Sequence, residues 1–300
     1  MMASIKRLEL ACFSDKGTVR SNNEDNMYAS FYNIINEKSE DYCCEVYSDT
    51  YSEETSVIAV FDGMGGTEGG EIASLASVKQ MDAFYNHVRE KESWSNDDLS
   101  YLLLDTKKRM EHATRMEMED SNAEQPGSTC CGFIMYNGKI KPFWIGDSRL
   151  YLFRKNQLIL LTKDHTIAQE KIDYGLITQE EALTVSSWHY ITKYIGDNQN
   201  SFTLGEEFSV ESGDKYLLCT DGISDKFSPD KLAEYMTESP TRFIEIVTSE
   251  IKKQSKDNAT AIMVELIHED EKNGLKSYIR DKAKEYFHAV GEKARENPFK

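Results

Sequence analysis

The chain has 300 residues, of which 39% are hydrophobic and 29% charged, with a formal net charge of −17 at pH 7. That length and apolar content suffice for one large domain or two small ones with a sizeable core. The excess of acid argues against a nucleic-acid partner, because phosphate backbones would be repelled, and no run reaches the roughly 18–20 uncharged apolar residues of a membrane span.

The opening MMASIKRLELACFSD has no apolar core of the kind that directs secretion. Short apolar runs then predict strands near Leu8–Phe13, Val57–Phe61, Thr129–Tyr136, Lys141–Ile145, Leu150–Phe153 and Leu158–Leu161. Further strands are expected at Phe202–Val210, Lys215–Thr220 and Ala259–Ile267. Asn137-Gly138 separates two of these runs and signals a tight hairpin, since both residues tolerate positive φ. Helical patterns occupy Gly70–Arg89, Asp97–Glu119, Pro229–Met236 and Thr241–Lys253. Strands cluster and helices come in pairs, which favours antiparallel sheets covered by helices over a doubly wound parallel sheet. Residues 33–56 are polar and acid-rich and read as a surface hairpin or loop. From His268 onward the chain is charged, with Leu275, Ile279, Ala283, Phe287 and Val290 at helical spacing, as in an amphipathic helix docked on the body. The six cysteines show neither metal-ligand nor disulfide spacing, and a reducing, cytoplasmic location is expected.

The acids carry the chemistry. In VIAVFDGMGG (Val57–Gly66) a buried-looking strand delivers Asp62 to its tip and is followed by three glycines in four positions. Asp221 follows the run from Lys215 to Thr220, Asp147 follows Phe143-Trp-Ile-Gly, and Asp257 precedes a strand that starts near Ala259. Glu24 and Asp25 lie in SNNEDN between two strand-like runs. Converging carboxylates repel, and burying one unpaired costs several kcal/mol or raises its pKa. A divalent cation removes that penalty, and an all-oxygen set without histidine suits Mg²⁺ or Mn²⁺ rather than zinc. A single Asp-Gly pair is ordinarily just a turn; several strand-terminal acids in one chain point to a metal site.

The ordered succession of motifs resembles the metal-dependent serine/threonine protein phosphatases, the type 2C or PPM family, over about Leu8–Leu266. It comprises DKGTVRSNNED (Asp15–Asp25), VFDGMGG (Val60–Gly66), GST (Gly127–Thr129) and WIGDSRLYLFR (Trp144–Arg154). LTKDHT (Leu161–Thr166), YITKYIG (Tyr190–Gly196), LLCTDGISD (Leu217–Asp225) and KDNATAIMV (Lys256–Val264) complete it. The DGMGG form and the segment Ile167–Leu183 are similar to the bacterial branch. The resemblance implies an α+β fold, a central β-sandwich of two antiparallel sheets flanked on both faces by helices in four α-β-β-α layers. It implies a catalytic domain over 1–267 with a flap at about 165–197, followed by a helical extension over 268–300.

By the same resemblance two Mn²⁺ or Mg²⁺ ions occupy the site, with a third, weaker one beside them. Asp62 is expected to bridge the pair, the Gly63 carbonyl to bind one ion, and Asp221 and Asp257 to complete the other. Glu24 and Asp25 would act mostly through bound waters, and Asp147 would hold the third ion with Asp221. The alternative for Asp147 is a turn-stabilising acid near Arg149. Arg20 matches the phosphate-binding arginine, whose planar fork suits two phosphate oxygens. Arg20, Asp25 and Asp62 are thus the expected catalytic residues. The implied reaction is hydrolysis of phosphoserine and phosphothreonine in proteins, opposing a serine/threonine kinase. A metal-bridging hydroxide, formed by lowering a water pKa from about 15.7 toward about 7, attacks phosphorus in line. The rival readings are a non-catalytic phosphoprotein-binding scaffold and a phosphatase of small phosphorylated metabolites. One departure stands out: Met64 and Thr67 occupy positions where relatives place a histidine suited to protonating the leaving oxygen. His165 is a weaker candidate donor and reads as structural.

Overall fold

The computed structural model describes residues 5–30, 42–50, 55–65, 69–91, 93–118, 126–182, 184, 190–197 and 200–268. The first sixty-odd residues supply β1 (Ile5–Asp15), β2 (Asn26–Ala29), β3 (Tyr42–Thr50), β4 (Ser56–Phe61) and the short β5 (Gly63–Met64). Two long helices follow, α1 (Gly70–Val88) and α2 (Asn96–Glu117). Then come β6 (Gly127–Ser128), β7 (Cys130–Tyr136), β8 (Lys139–Ile145), β9 (Arg149–Arg154) and β10 (Gln157–Leu160). Short helices α3 (Ile167–Asp173) and α4 (Gln179–Ala182) precede β11 (Thr203–Leu204), β12 (Phe208–Ser209) and β13 (Lys215–Cys219). The described chain ends with α5 (Asp221–Ser224), α6 (Pro229–Tyr235), α7 (Pro240–Gln254) and β14 (Ala259–His268).

One sheet has the order β10-β9-β13-β14-β1-β3 and the other β11-β8-β7-β4-β2, with β12 also pairing β8. All the pairings are antiparallel. The strands read as near-continuous apolar runs because each sheet is covered on both faces. Inward-facing Leu10, Val60, Phe133, Leu218 and Val264 fill the space between the sheets, where the Phe133 and Tyr216 rings meet at 5.5 Å. Alternate residues of β4 and β7 (Val57, Ala59, Phe61, Cys130, Ile134) instead pack on Val78, Phe84, Leu99 and Leu103 of α1 and α2. On the opposite side Leu217, Cys219, Ala261 and Met263 pack on Leu232, Phe243, Val247 and Ile251 of α6 and α7. The layers are therefore helix, sheet, sheet, helix, as the resemblance implies.

Local chemistry sets the element ends. Ser95, Ser228 and Ser239 accept from the backbone N–H three residues on and cap α2, α6 and α7. Pro229 and Pro240 open the latter two, where the missing N–H would have been unpartnered. Asn137 and Gly138 both adopt positive φ, 48° and 70°, and close the β7–β8 hairpin as predicted. Lys155-Asn156 does the same between β9 and β10 (φ 53° and 60°), without a glycine to announce it.

Two expectations change. The polar segment 33–56 contributes a nine-residue edge strand, β3, paired to β1. The single strand expected over Phe202–Val210 is two short ones, because Gly205 falls opposite Pro142. That proline accepts from the Gly205 N–H at 2.9 Å but has no N–H to return to the ladder, and a Cβ at Gly205 would lie 2.9 Å from the proline ring. The amphipathic helix expected beyond His268 lies outside the described residues.

Candidate active site

The antiparallel connectivity brings the acids to one rim of the sandwich. β4 ends where β2 begins, with Phe61 opposite Asn26, so Asp62 and Asp25 emerge side by side. In the other sheet Cys219 pairs with Ala261, which sets Asp221 and Asp257 at neighbouring strand ends. Asp147 lies on the Gly146–Ser148 crossover that carries the chain from β8 in one sheet to β9 in the other. Arg149, next along, pairs with Cys219 just before Asp221. Glu24 precedes β2, and its backbone N–H donates to Asn258 Oδ1 at 3.0 Å.

The carboxylates are close enough to perturb one another. Asp25 is 1% exposed; its Oδ2 accepts from Thr220 Oγ1 at 2.8 Å, while its Oδ1 is buried with no hydrogen-bond partner. Burial raises its pKa, and Asp221 and Asp257 add to the shift. Asp62 is raised well above the carboxylate range by burial and then by Asp221, Asp25 and Asp147. Burial likewise raises Asp221, helped by Asp257 and Asp225. Burial, Asp221 and Asp164 raise Asp147, whose Oδ1 is also buried and unpartnered. Burial and Glu71 raise Glu24. Such shifts describe a rim of negative charge held by the fold against its own repulsion.

Arg149 does not attend to Asp147. It forms a two-pronged pair with Asp164, Nε to Oδ1 at 3.0 Å and Nη2 to Oδ2 at 2.6 Å, so Arg149 is not the partner of Asp147. Arg20 is exposed and lies across the rim. Its Nη2 is 2.7 Å from Asp257 Oδ1 and its Nη1 3.8 Å from Glu24 Oε2.

The glycine behind Asp62 has a packing reason that the sequence did not disclose. A Cβ on Gly63 would fall 2.1 Å from the Gly70 carbonyl oxygen and 2.5 Å from that of Glu24, so the turn and the start of α1 close only around a bare backbone. Met64 follows on β5, partly exposed, and Thr67 lies outside the described residues.

His165 is held as a neutral ring. Its Nδ1 accepts from the Gly146 N–H at 3.1 Å, leaving Nε2 to donate to Thr203 Oγ1 at 3.0 Å, and the ring stacks on Trp144. Burial and then Lys193 push its pKa down to about 4. The structural reading of His165 fits this geometry.

Sequence reasoning passed over the polar residues that fasten the acids. Asp62 N–H donates to Thr129 Oγ1 at 3.0 Å, and the Thr129 hydroxyl lies 2.7 Å from that of Ser148. Asn258 Nδ2 donates to the carbonyls of Lys16 and Asn22, tying the loop that carries Arg20 to the start of β14. Thr220, Thr129 and Asn258 all adjoin the motif acids or lie within the motifs, and that adjacency was the available signal.

A helix-flanked double sheet with oxygen donors converging on one rim defines the class. The chain belongs to the protein phosphatase 2C family, whose family model matches residues 36–257; Arg20–Asp25 precede that match. Among similar proteins, the serine/threonine protein phosphatase PstP of Mycobacterium tuberculosis is 31% identical over 271 residues, covering 88% of this chain and 46% of PstP. This chain thus spans about half the length of that relative. The crystal structure of M. tuberculosis PstP/Ppp superposes with a TM-score of 0.68 and 28% identity, covering 87% of this chain and all (100%) of that one. The PstP catalytic domain in complex with two manganese ions superposes with a TM-score of 0.66 and 26% identity, covering 87% and 99% of the two chains.

Proposed function

We propose that this protein is a metal-dependent phosphatase that hydrolyses phosphoserine and phosphothreonine in proteins and opposes a serine/threonine kinase in the cytoplasm. The observation that carries the reading is the rim itself: Asp25, Asp62, Asp147, Asp221 and Asp257 converge from separate strand ends, with two buried carboxylate oxygens unpartnered. That donor set fits hard divalent cations, which take carboxylate, carbonyl and water oxygens. PstP, similar over most of this chain, binds two manganese ions in its catalytic domain, and this chain is assigned Mn²⁺ or Mg²⁺ on that likeness. Among the described residues no three acidic, histidine or cysteine side chains already form a closed cluster; the Gly63 carbonyl and water would add further oxygen donors. Asp62, Asp221 and Asp257 would hold the ions, Glu24 and Asp25 would act mostly through bound waters, and Asp147 with Asp221 would hold a weaker third ion. No helix among the described residues is long and apolar enough to cross a membrane.

When bound, the cations supply an activated water and neutralise phosphoryl charge. The protein's own groups do the rest. Asp62 is held rigidly by paired bonds to Thr129, its N–H to Oγ1 and its carbonyl from the Thr129 N–H at 2.8 Å. Arg20 turns its fork from Asp257 to two phosphoryl oxygens, which a lysine cannot match. His165 is committed to Gly146 and Thr203 and Met64 has no proton to give, so neither protonates the departing oxygen. Residues 1–267 form the catalytic domain, with 165–197 as its flap and 268–300 as an extension.

The test compares wild type with Asp62→Asn on p-nitrophenyl phosphate, a phosphothreonine peptide and a panel of sugar phosphates, each with Mn²⁺. Turnover of the peptide, lost in the variant, supports the reading. A preference for sugar phosphates would assign a metabolite phosphatase, and inactivity on every substrate despite Mn²⁺ binding would leave a scaffold.

A further inference from the structure

Among the described residues Lys107 is the most deeply buried lysine, ahead of Lys141 and Lys215. Lys107 lies midway along α2 and is 2% exposed. Its Nζ contacts Glu111 Oε1 one turn on and lies 3.0 Å from Asp197 Oδ1, ninety residues away in sequence. Glu111 and Asp197 are themselves 6% and 9% exposed at the side chain. A buried lysine between two buried acids is costly to assemble and more costly to break, and nothing in the acidic rim requires it.

What this trio grips is the backbone segment Tyr194–Asp197. Glu111 Oε1 accepts from the Gly196 N–H at 3.1 Å. Asp197 Oδ2 accepts from the Tyr194 N–H at 3.3 Å and from Asn200 Nδ2 at 2.7 Å, and its Oδ1 accepts from the Asn200 N–H at 3.1 Å. Burial pushes the Asp197 carboxyl up, but the bonds from Asn200 and Lys107 outweigh it and hold the group below its ordinary value.

The gripped segment leans on the site. Ile195 and Ser128 form an antiparallel bridge through two backbone bonds, of 3.0 and 2.8 Å. The Tyr194 ring presses on Gly127 so closely that a Cβ there would lie 2.5 Å from Cδ2. Ser128 and Gly127 in turn pair with Gly63 and Met64, and Thr129, next in the chain, holds Asp62 from both sides. A three-tier ladder therefore runs from Ile195 through Ser128 to Gly63. Its outer tier is fastened to helix α2 by the Lys107 ammonium on Asp197 and by the Glu111 carboxylate, itself paired to Lys107, on the Gly196 N–H. That helix is anchored independently, through Leu99, Leu103 and Met110 in the apolar layer against the sheet.

We propose that Lys107 is a positioning residue: through Glu111 and Asp197 it clamps Tyr194–Asp197 onto Gly127–Ser128 and so sets where Gly63 and Asp62 present their oxygens. The inference rests on the assignment of Gly63 and Asp62 as cation ligands, but the clamp is a property of the protein alone. Partners one shell removed from a ligand commonly control affinity or activity by roughly ten- to a hundredfold. Lys107 touches neither substrate nor ligand and acts through two backbone tiers.

The experiment uses the full chain, wild type against Lys107→Met, with Asp197→Asn as a second variant that unfastens the segment while leaving Lys107 paired to Glu111. Amide exchange is read first, without metal. The Ser128, Ile195 and Gly196 amides are expected to exchange at least tenfold faster in the variants, while Leu217 and Val264 in the central strands stay as in wild type. Calorimetric titration with Mn²⁺ should then show about a tenfold rise in Kd, with turnover recovered when Mn²⁺ is saturating. Unchanged exchange at Ser128 and Ile195, or an Mn²⁺ Kd within twofold of wild type, overturns the proposal. Should Lys107→Met fail to fold, Asp197→Asn decides by the same two readings. Failure of wild type itself to bind Mn²⁺ would strike the functional reading, while the exchange result would still decide the clamp.

Discussion

Replacing Asp25 with asparagine should stabilise the protein when metal is withheld. The side chain is 1% exposed and one of its oxygens has no partner. Burial, joined by Asp221 and Asp257, pushes its pKa from 3.8 up to about 8. At ~1.4 kcal/mol for each tenfold change in proton affinity, that displacement has a ceiling of about 6 kcal/mol. Asp25 titrates together with its acidic neighbours, which remain, so a single substitution recovers only part of that ceiling, on the order of 2 kcal/mol. Asparagine keeps the shape and an oxygen to accept from Thr220. For a domain of this size roughly 2–3 °C accompanies each kcal/mol, giving a gain of about 5 °C in Tm. The sign depends on pH. A carboxyl whose folded pKa is raised weakens the fold only when ionised, so the penalty is absent below about pH 4 and complete above about pH 8. Thermal unfolding in EDTA across that range should show the Asp25→Asn advantage growing from nothing at pH 4 to its full value near pH 8. Saturating Mn²⁺ should shrink or reverse it, because wild type gains more from the cation; an excess of one hundred times Kd contributes about 2.7 kcal/mol. A variant less stable than wild type in EDTA at pH 8, or an advantage independent of pH, would refute the account of the rim.

Gly222→Ala should cost about 3 kcal/mol in urea unfolding, because the new Cβ would meet the Asn258 carbonyl oxygen at 1.9 Å, backbone against backbone; a loss under 1 kcal/mol would show that this approach is not tight. His165→Ala should lower stability by about 2 kcal/mol by orphaning the Gly146 N–H and removing the stack on Trp144. The pH profile of kcat should keep its shape in that variant, and disappearance of one limb would make the ring a proton donor after all. Arg20→Lys should raise KM for a phosphothreonine peptide about tenfold, as a two-pronged contact becomes a single one. Calorimetry should show Mn²⁺ binding by Arg20→Lys within about threefold of wild type, and a larger change would place Arg20 in cation binding instead.

Much of the architecture was legible because strands buried on both faces are mostly apolar, as the runs ending at Phe61 and Cys219 are. Segment 42–50, YCCEVYSDT, defeated that criterion: its strand state comes from pairing with β1, which composition does not record. Gly205 broke a strand for a reason located in Pro142, more than sixty residues earlier. Within the candidate site the acids stood out through their place at strand ends, whereas Thr129, Thr220 and Asn258 did not, since serine, threonine and asparagine beside a turn are unremarkable until their partners are known. Lys107 was the least visible. In LLLDTKKRMEH only helical spacing separates it from Lys108: Lys107 falls four residues after Leu103 and three before Met110, on the buried stripe of α2, where it sits between two acids while Lys108 faces solvent.

The order of apolar runs, turns and strand-terminal acids by itself pointed to antiparallel sheets covered by helices with acids at the strand ends, because each of those features follows from the local alternation of burial and exposure. The two-sheet sandwich came instead from the family resemblance. Only the tertiary structure decided that Arg149 serves Asp164 rather than Asp147, that His165 is spent on Gly146 and Thr203, and that an ammonium in α2 fastens a ladder ending at Gly63. The choice among several nearby partners is settled by distances of a few tenths of an ångström, and those arise only when segments far apart in the chain pack together.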